Sequence, residues 1–329
     1  MKINSINKLT IAIIPLVFIG CATKVRTVVP DNNTTINATK ASLKSYCNGK
    51  SEPACTHDYL KIDGYSNEII FNNKVVFAQE LSPPTFNILN SSSDQKLKQY
   101  AQYIKQDTSR TVSQGYVQAI LYDDAKDKKM MIAIRGTDTP ANVIADISIK
   151  EQIFKPSDSA KKTYVHAGFF HEMQKLMQAK NGITLEEALK NKINTHYKFI
   201  ITGHSSGGAV ATLLSAWLVD NGVNKNDITL ITFGESAPGK ADFVNEYKNK
   251  LINYTKYRGY SNLNGKCIDI VPYLTSLLLG KYHYVSFGNP IGLNYKIINI
   301  NCNGPAIKVI TKLHSMRNYE KTMTESLPT

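Results

Sequence analysis

The sequence predicts an α/β protein, a single domain built on a mostly parallel central sheet flanked by helices. Three observations lead there. Strand-like and helix-like runs alternate from KFIIT (198–202) to YTKYRGY (254–260), the order expected of parallel strands joined by crossover helices. A glycine-rich turn, GHSSGG (203–208), joins one of those strands to one of those helices. The composition, 42% hydrophobic and 20% charged over 329 residues, suits a chain that buries a sizeable core.

Each element has its own signal. GYVQAILY (115–122), DDAKDKK and MMIAIRG read as strand, turn and strand, hence a hairpin. Helices are expected around Leu97 to Ile104 and over Phe170 to Ala179, the latter with Met173, Leu176 and Met177 on one face. TLEEALKNKI opens with Thr184 and Glu187 at capping-box spacing. KFIIT is a short buried strand, and GGAVATLLSAWLVDNG (207–222) is a helix closing at Gly222. ITLITFG (228–234), ADFVNEYKNKL and YTKYRGY read as strand, helix and strand, and KCIDIVP (266–272) lies at or just past a strand end. YHYVSFG and IINI read as antiparallel strands, and His314 begins or precedes a last short helix.

The N-terminus reads differently. MKINSINK carries two positive charges, and an apolar stretch of eleven residues runs from Leu9 to Ile19. That is too short for a membrane span and fits an export signal. It ends at Ile19, Gly20 and Cys21, which resembles the lipobox of bacterial lipoproteins, although Phe18 departs from the usual aliphatic residue. The resemblance implies a signal peptide over 1–20 and a lipidated Cys21. It also implies a protein exported to the bacterial cell envelope and anchored to a membrane there, the outer membrane in a Gram-negative cell. Residues 21–45, rich in Thr, Asn, Ser and Lys, read as a flexible tether. Residues 46–329 are then the folded domain.

Four further cysteines in an exported chain suggest disulfides, and proximity favours Cys47–Cys55 and Cys267–Cys302. There is no CxxC and no cluster of metal-ligand spacing, so neither metal nor cofactor is expected. The formal charge of +13 comes from scattered lysines. With no zinc-finger spacing or helix-turn-helix signal, it reads as a solvated surface and not as a nucleic-acid interface.

The turn GHSSG carries the chemistry. A strand–turn–helix with G-x-S-x-G is the nucleophile elbow of α/β hydrolases. Gly203 and Gly207 flank Ser205 in that register, whereas Ser206 would need a glycine where His204 stands. Ser205 is therefore the candidate nucleophile, and the backbone N–H of Ser206 a candidate oxyanion donor. A serine hydroxyl needs a base, and the base an orienting acid. In this fold both follow the serine. His283 and His314 qualify as the base. Glu235 and Asp269 remain as acids near strand ends, with Asp269 preferred.

An ordered set of blocks over about residues 100–320 resembles the class 3 lipases, the fungal-lipase-like branch of the α/β hydrolases. These are IAIRGTD, VHAGFF, GHSSGGA, TFGESAPGKADF, DIVPYL and HSMRNY. The resemblance implies Asp269 as the catalytic acid, His314 as the base and Thr137 as a second oxyanion donor beside Ser206. His166 in VHAGFF is expected to be structural, and Arg135 an ion-pair partner. Ser206 stands where the family usually has leucine or methionine, and Glu235 and Ala237 alter the block after the strand. Val143, Ile144 and Ile147 lie at helical spacing in a segment, 138–154, that resembles the family's lid. The implied activity is cleavage of lipid acyl esters through an acyl-enzyme, without a cofactor. Phospholipase A, acyltransferase or a non-catalytic lipid-binding lipoprotein are the alternatives.

Overall fold

The computed structural model describes residues 29–47, 62–76, 114–137, 151–154, 162–263, 265–273, 283–296 and 298–327. Strands β1 (Asn67–Val76), β2 (Gln114–Asp124) and β3 (Lys129–Ile134) pair antiparallel in sequence, so the expected hairpin is present. From β3 the sheet turns parallel through β8 (Lys198–His204), β9 (Ile228–Phe233) and β10 (Tyr254–Ser261). Two small pairs lie apart from it: β4 (Glu151–Phe154) with β5 (Thr163–His166), and β6 (Lys180–Asn181) with β7 (Ile183–Thr184). At the far edge β11 (Cys267–Ile268) runs antiparallel to β10, and β12 (Ile291–Asn294) runs parallel to it.

The strands at the centre are apolar on both faces, as a sheet covered by helices on both sides requires. In β3, Met130, Ile132 and Ile134 face one core, and Met131 and Ala133 face another. The first core is closed by α2 (Ala167–Met177), α3 (Leu185–Lys190), α4 (Ser206–Asp220) and α5 (Ala241–Tyr247). The opposite face is covered by α1 (Asn32–Lys44), α6 (Ala306–Leu313) and α7 (Met316–Ser326). This is the α/β-hydrolase architecture. At α3, Glu187 accepts from the Thr184 N–H at 2.7 Å while the Thr184 hydroxyl accepts from the Glu187 N–H at 3.2 Å. That is the reciprocal cap its spacing predicted.

Two expectations are corrected. The tether assigned to 21–45 is a helix over Asn32–Lys44, capped by Asp31, whose carboxylate accepts from the Thr34 N–H at 2.8 Å. Its buried side sets Ile36 and Leu43 among small and polar residues, including Thr35, Ala38, Thr39, Ala41 and Ser42. Two of their hydroxyls find partners: Thr39 donates to the Thr35 carbonyl at 2.7 Å, and Ser42 bonds Thr202 of β8 at 2.8 Å. Close packing with internal hydrogen bonds replaces the apolar stripe that hydropathy looks for. The second correction is the tail. Val285 makes only an isolated antiparallel bridge to Gly239, and the strand there is Ile291–Asn294, parallel to β10. The expected helix at Leu97 to Ile104, the N-terminal 28 residues, and the lid positions Val143, Ile144 and Ile147 lie outside the described residues.

Cys267 and Cys302 form a disulfide. Cys47 is disulfide-bonded as well, and its expected partner Cys55 lies outside the described residues. Among the described residues, no helix is long and apolar enough to cross a membrane.

Candidate active site

The turn between β8 and α4 has no room for side chains beside its serine. A Cβ at Gly203 would stand 2.3 Å from the Gly207 carbonyl oxygen, and one at Gly207 2.5 Å from that of Ile134. Both glycines are there because β8, α4 and the end of β3 approach backbone to backbone. Ser205 adopts φ 59° and ψ −128°, a conformation that costs a non-glycine residue roughly 1–3 kcal/mol. Packing on both sides of the sheet holds it there.

Three distant stretches then meet. Ser205 Oγ lies 2.8 Å from His314 Nε2, and His314 Nδ1 lies 2.7 Å from Asp269 Oδ2. All three side chains are buried. His314 sits at the C-terminal cap of α6, where its N–H donates to the Ile310 carbonyl. Asp269 arrives because β11 reverses along β10, so that its N–H donates to the Gly259 carbonyl at 2.9 Å. Its other oxygen, Oδ1, accepts from the Val271 N–H at 3.1 Å. Gly234, with φ +53°, makes space: a Cβ there would lie 2.9 Å from Asp269 Oδ2 and from the His314 ring.

The two residues left open by chain order resolve cleanly. His283 is exposed and takes no part in this chain of bonds. Glu235 is buried in a separate cluster, accepting from Thr212 at 2.7 Å, from Thr232 at 3.2 Å and from Tyr254. Burial pushes its carboxyl up, and the same desolvation pushes the neighbouring Lys256 ammonium down to about 8. His166 caps α2, its Nδ1 accepting from the Phe169 N–H at 3.4 Å, and burial depresses it to about 3. The Arg135 guanidinium lies over the Tyr46 ring.

Thr137 follows β3 and stands beside the elbow. Its N–H donates to Ser206 Oγ at 3.0 Å, and the two hydroxyls lie 3.0 Å apart. The Ser206 hydroxyl thus ties the segment after β3 to the first turn of α4. The Ser206 N–H is one of the first four of α4, which a helix leaves without an intrahelical acceptor.

Tyr319 carries no assignment in the sequence reading. Its hydroxyl donates to Asp269 Oδ2 at 2.8 Å and accepts from the Gly259 N–H at 2.8 Å. Burial, followed by the Asp269 charge, pushes the phenol well up, so it stays a donor. The block HSMRNY holds it five residues past the imidazole, a spacing that by itself names no partner. Among the described residues, no group of three or more His, Cys, Asp or Glu is placed to hold a metal ion.

The family model for class 3 lipases matches residues 131–277. A secreted mono- and diacylglycerol lipase of Fusarium solani is 28% identical over 223 residues, 64% of this chain and 62% of its own. Over residues 131–277 the chain is similar to the class 3 lipases. It spans less than two thirds of the length of the curated relatives it matches. Two solved structures share the fold. M37 lipase superposes with a TM-score of 0.58 at 16% identity, covering 92% of this chain and 96% of that one. A Rhizomucor miehei lipase–propeptide complex superposes at 0.51 and 20% identity, covering 88% and 77%. The family match ends before His314, so that imidazole is located by geometry alone.

Proposed function

We propose that the chain is a serine carboxylic-ester hydrolase acting on lipid acyl esters. The hydrogen-bonded series Ser205–His314–Asp269, set in a positive-φ elbow, carries the reading. Ser205 Oγ attacks the ester carbonyl carbon while His314 Nε2 takes its proton. The carbonyl electron pair moves to oxygen, where the Ser206 N–H receives it, joined by the Thr137 N–H as that group turns from Ser206 Oγ. Collapse expels the alkoxide, which takes the proton from His314, and leaves an acyl group on Ser205. Water, deprotonated by His314, repeats the sequence and releases the acid. Asp269 holds the imidazole in the tautomer with Nδ1–H and stabilises its cation.

The Fusarium relative's name supports partial glycerides as substrate. A phospholipid or a non-water acyl acceptor would use the same steps, and product analysis separates them. The test is hydrolysis of short and long acyl esters, a diacylglycerol and a phospholipid by the parent and by Ser205→Ala. The variant should lose at least about 10⁴-fold in kcat, and equal turnover by both proteins would refute the assignment.

The lipobox-like Ile19-Gly20-Cys21 supports export and an acylated Cys21 at the mature N-terminus. Several acyl chains would hold the enzyme on a membrane, since a single chain binds only reversibly. Mass spectrometry of the mature N-terminus checks this, and an unmodified start elsewhere would overturn it.

A further inference from the structure

The helix α1 ends against the oxyanion loop, and one side chain there bridges two parts of the site. The Tyr46 hydroxyl lies 2.8 Å from His204 Nδ1 and accepts from the Gly136 N–H at 3.1 Å. His204 immediately precedes Ser205, and Gly136 immediately precedes Thr137. A Cβ at Gly136 would stand 2.7 Å from the Tyr46 oxygen and 2.3 Å from the His204 carbonyl oxygen. The loop therefore sits hard against both. Behind Tyr46, Gln118 of β2 donates to the Ser45 carbonyl at 2.9 Å in a buried contact, fixing the chain where the tyrosine leaves it.

The phenol oxygen accepts from the Gly136 N–H and shares a second hydrogen bond with His204 Nδ1. Burial first, then the His314 charge, holds His204 well below the ordinary histidine range, so its ring is neutral. Its ring lies 4.5 Å from that of His314. A neutral neighbour leaves the transient positive charge to His314 alone.

We propose that Tyr46 is a positioning residue of the active site, its hydroxyl locking the oxyanion loop at Gly136 onto His204 of the nucleophile elbow. The inference rests on the ester-hydrolase reading. It makes α1 a working part of the site, because the loop's donors are useful only if already aimed where the negative charge develops. Tyr46 touches neither substrate nor reacting atoms, so its loss should appear in kcat and not in substrate binding.

The experiment compares the full chain with Tyr46→Phe, Ser42→Ala and Ser205→Ala on one soluble ester. Tyr46→Phe keeps the ring and removes only the hydroxyl. Its kcat should fall about 10- to 100-fold with KM unchanged within about twofold, the scale expected for a misplaced oxyanion donor. Ser42→Ala, which loosens the same helix through the Ser42–Thr202 bond, should lower Tm and leave kcat at the parent value. Equal kcat in parent and Tyr46→Phe, or a matching kcat loss in Ser42→Ala, overturns the inference while Ser205-dependent hydrolysis stands. A parent without Ser205-dependent activity overturns the hydrolase reading and this inference with it. Should Tyr46→Phe not fold, a fluorinated tyrosine at position 46 keeps size and hydroxyl and lowers only the phenol's pKa. Its kcat should then fall at lower pH than the parent's, as ionisation of the oxygen alters its bond to His204; superimposable profiles overturn the inference.

Discussion

Asp269 Oδ2 accepts two hydrogen bonds, one from the imidazole and one from Tyr319, and this shapes what the carboxylate does. The phenol holds the oxygen in line with His314 and fixes the acid to Gly259 of β10 through its second bond. Tyr319→Phe should lower kcat about tenfold, near the ~1.4 kcal/mol expected of a hydrogen bond to a charged group. KM should change little, and steady-state kinetics reads both. His166 works on stability instead. Its folded-state value of about 3 lies below the ordinary 6.5. Between those values the unfolded chain binds a proton that the folded protein does not. The folded state is therefore fully favoured above about pH 6.5 and loses up to roughly 1.4 kcal/mol per pH unit on acidification towards about 3. His166→Asn retains a capping oxygen, so its urea midpoint should drop less than the parent's between about pH 7 and about pH 4.5. At this scale Ser205 was legible outright, because only one serine has glycines two residues to each side. Asp269 and His314 needed block order as well. Tyr319 and Tyr46 were illegible as partners, since a phenol's role is set by what lies across the fold.

Among elements, the tightest constraint is the contact between β8 and α4. Gly203→Ala would push a methyl carbon into the Gly207 carbonyl, where only backbone can give way. We expect a loss of about 3 kcal/mol, at the upper end for overpacking, measurable as a lower urea midpoint, with activity falling alongside as the elbow shifts. Elements whose local signals agree with their burial were readable from sequence. The hairpin β2–β3, the capped α3 and the largely apolar α4 all followed their periodicity or caps. α1 did not, because its interface is built largely from threonine, serine and alanine, with Thr39 bonded within the helix and Ser42 to β8. The parallel pairing of β12 was equally hidden: a four-residue strand carries no record of which neighbour it will find.

For the molecule as a whole, acid and base come from opposite sides of a covalent link. Cys267 lies two residues before Asp269, and Cys302 lies in the segment leading to α6 and His314, at a sequence separation of 35. Closing a loop of that length is worth about 3–4 kcal/mol in the chain-entropy account. Replacing both cysteines by serine should lower Tm by several degrees. It should also cut kcat more than the stability loss alone explains, since the acid loop and the base helix lose their common tie. Thermal unfolding and assays well below the variant's Tm separate the two effects.

The early start of α1 also sets how far the catalyst can stray from an anchor. With Cys21 acylated as proposed, only residues 22–31 separate the lipid from the first helical turn. Fully stretched, they reach at most ~35 Å, against ~80 Å for a leash running to Ser45. An enzyme so closely moored would graze the bilayer holding it and leave lipid in a facing membrane beyond reach.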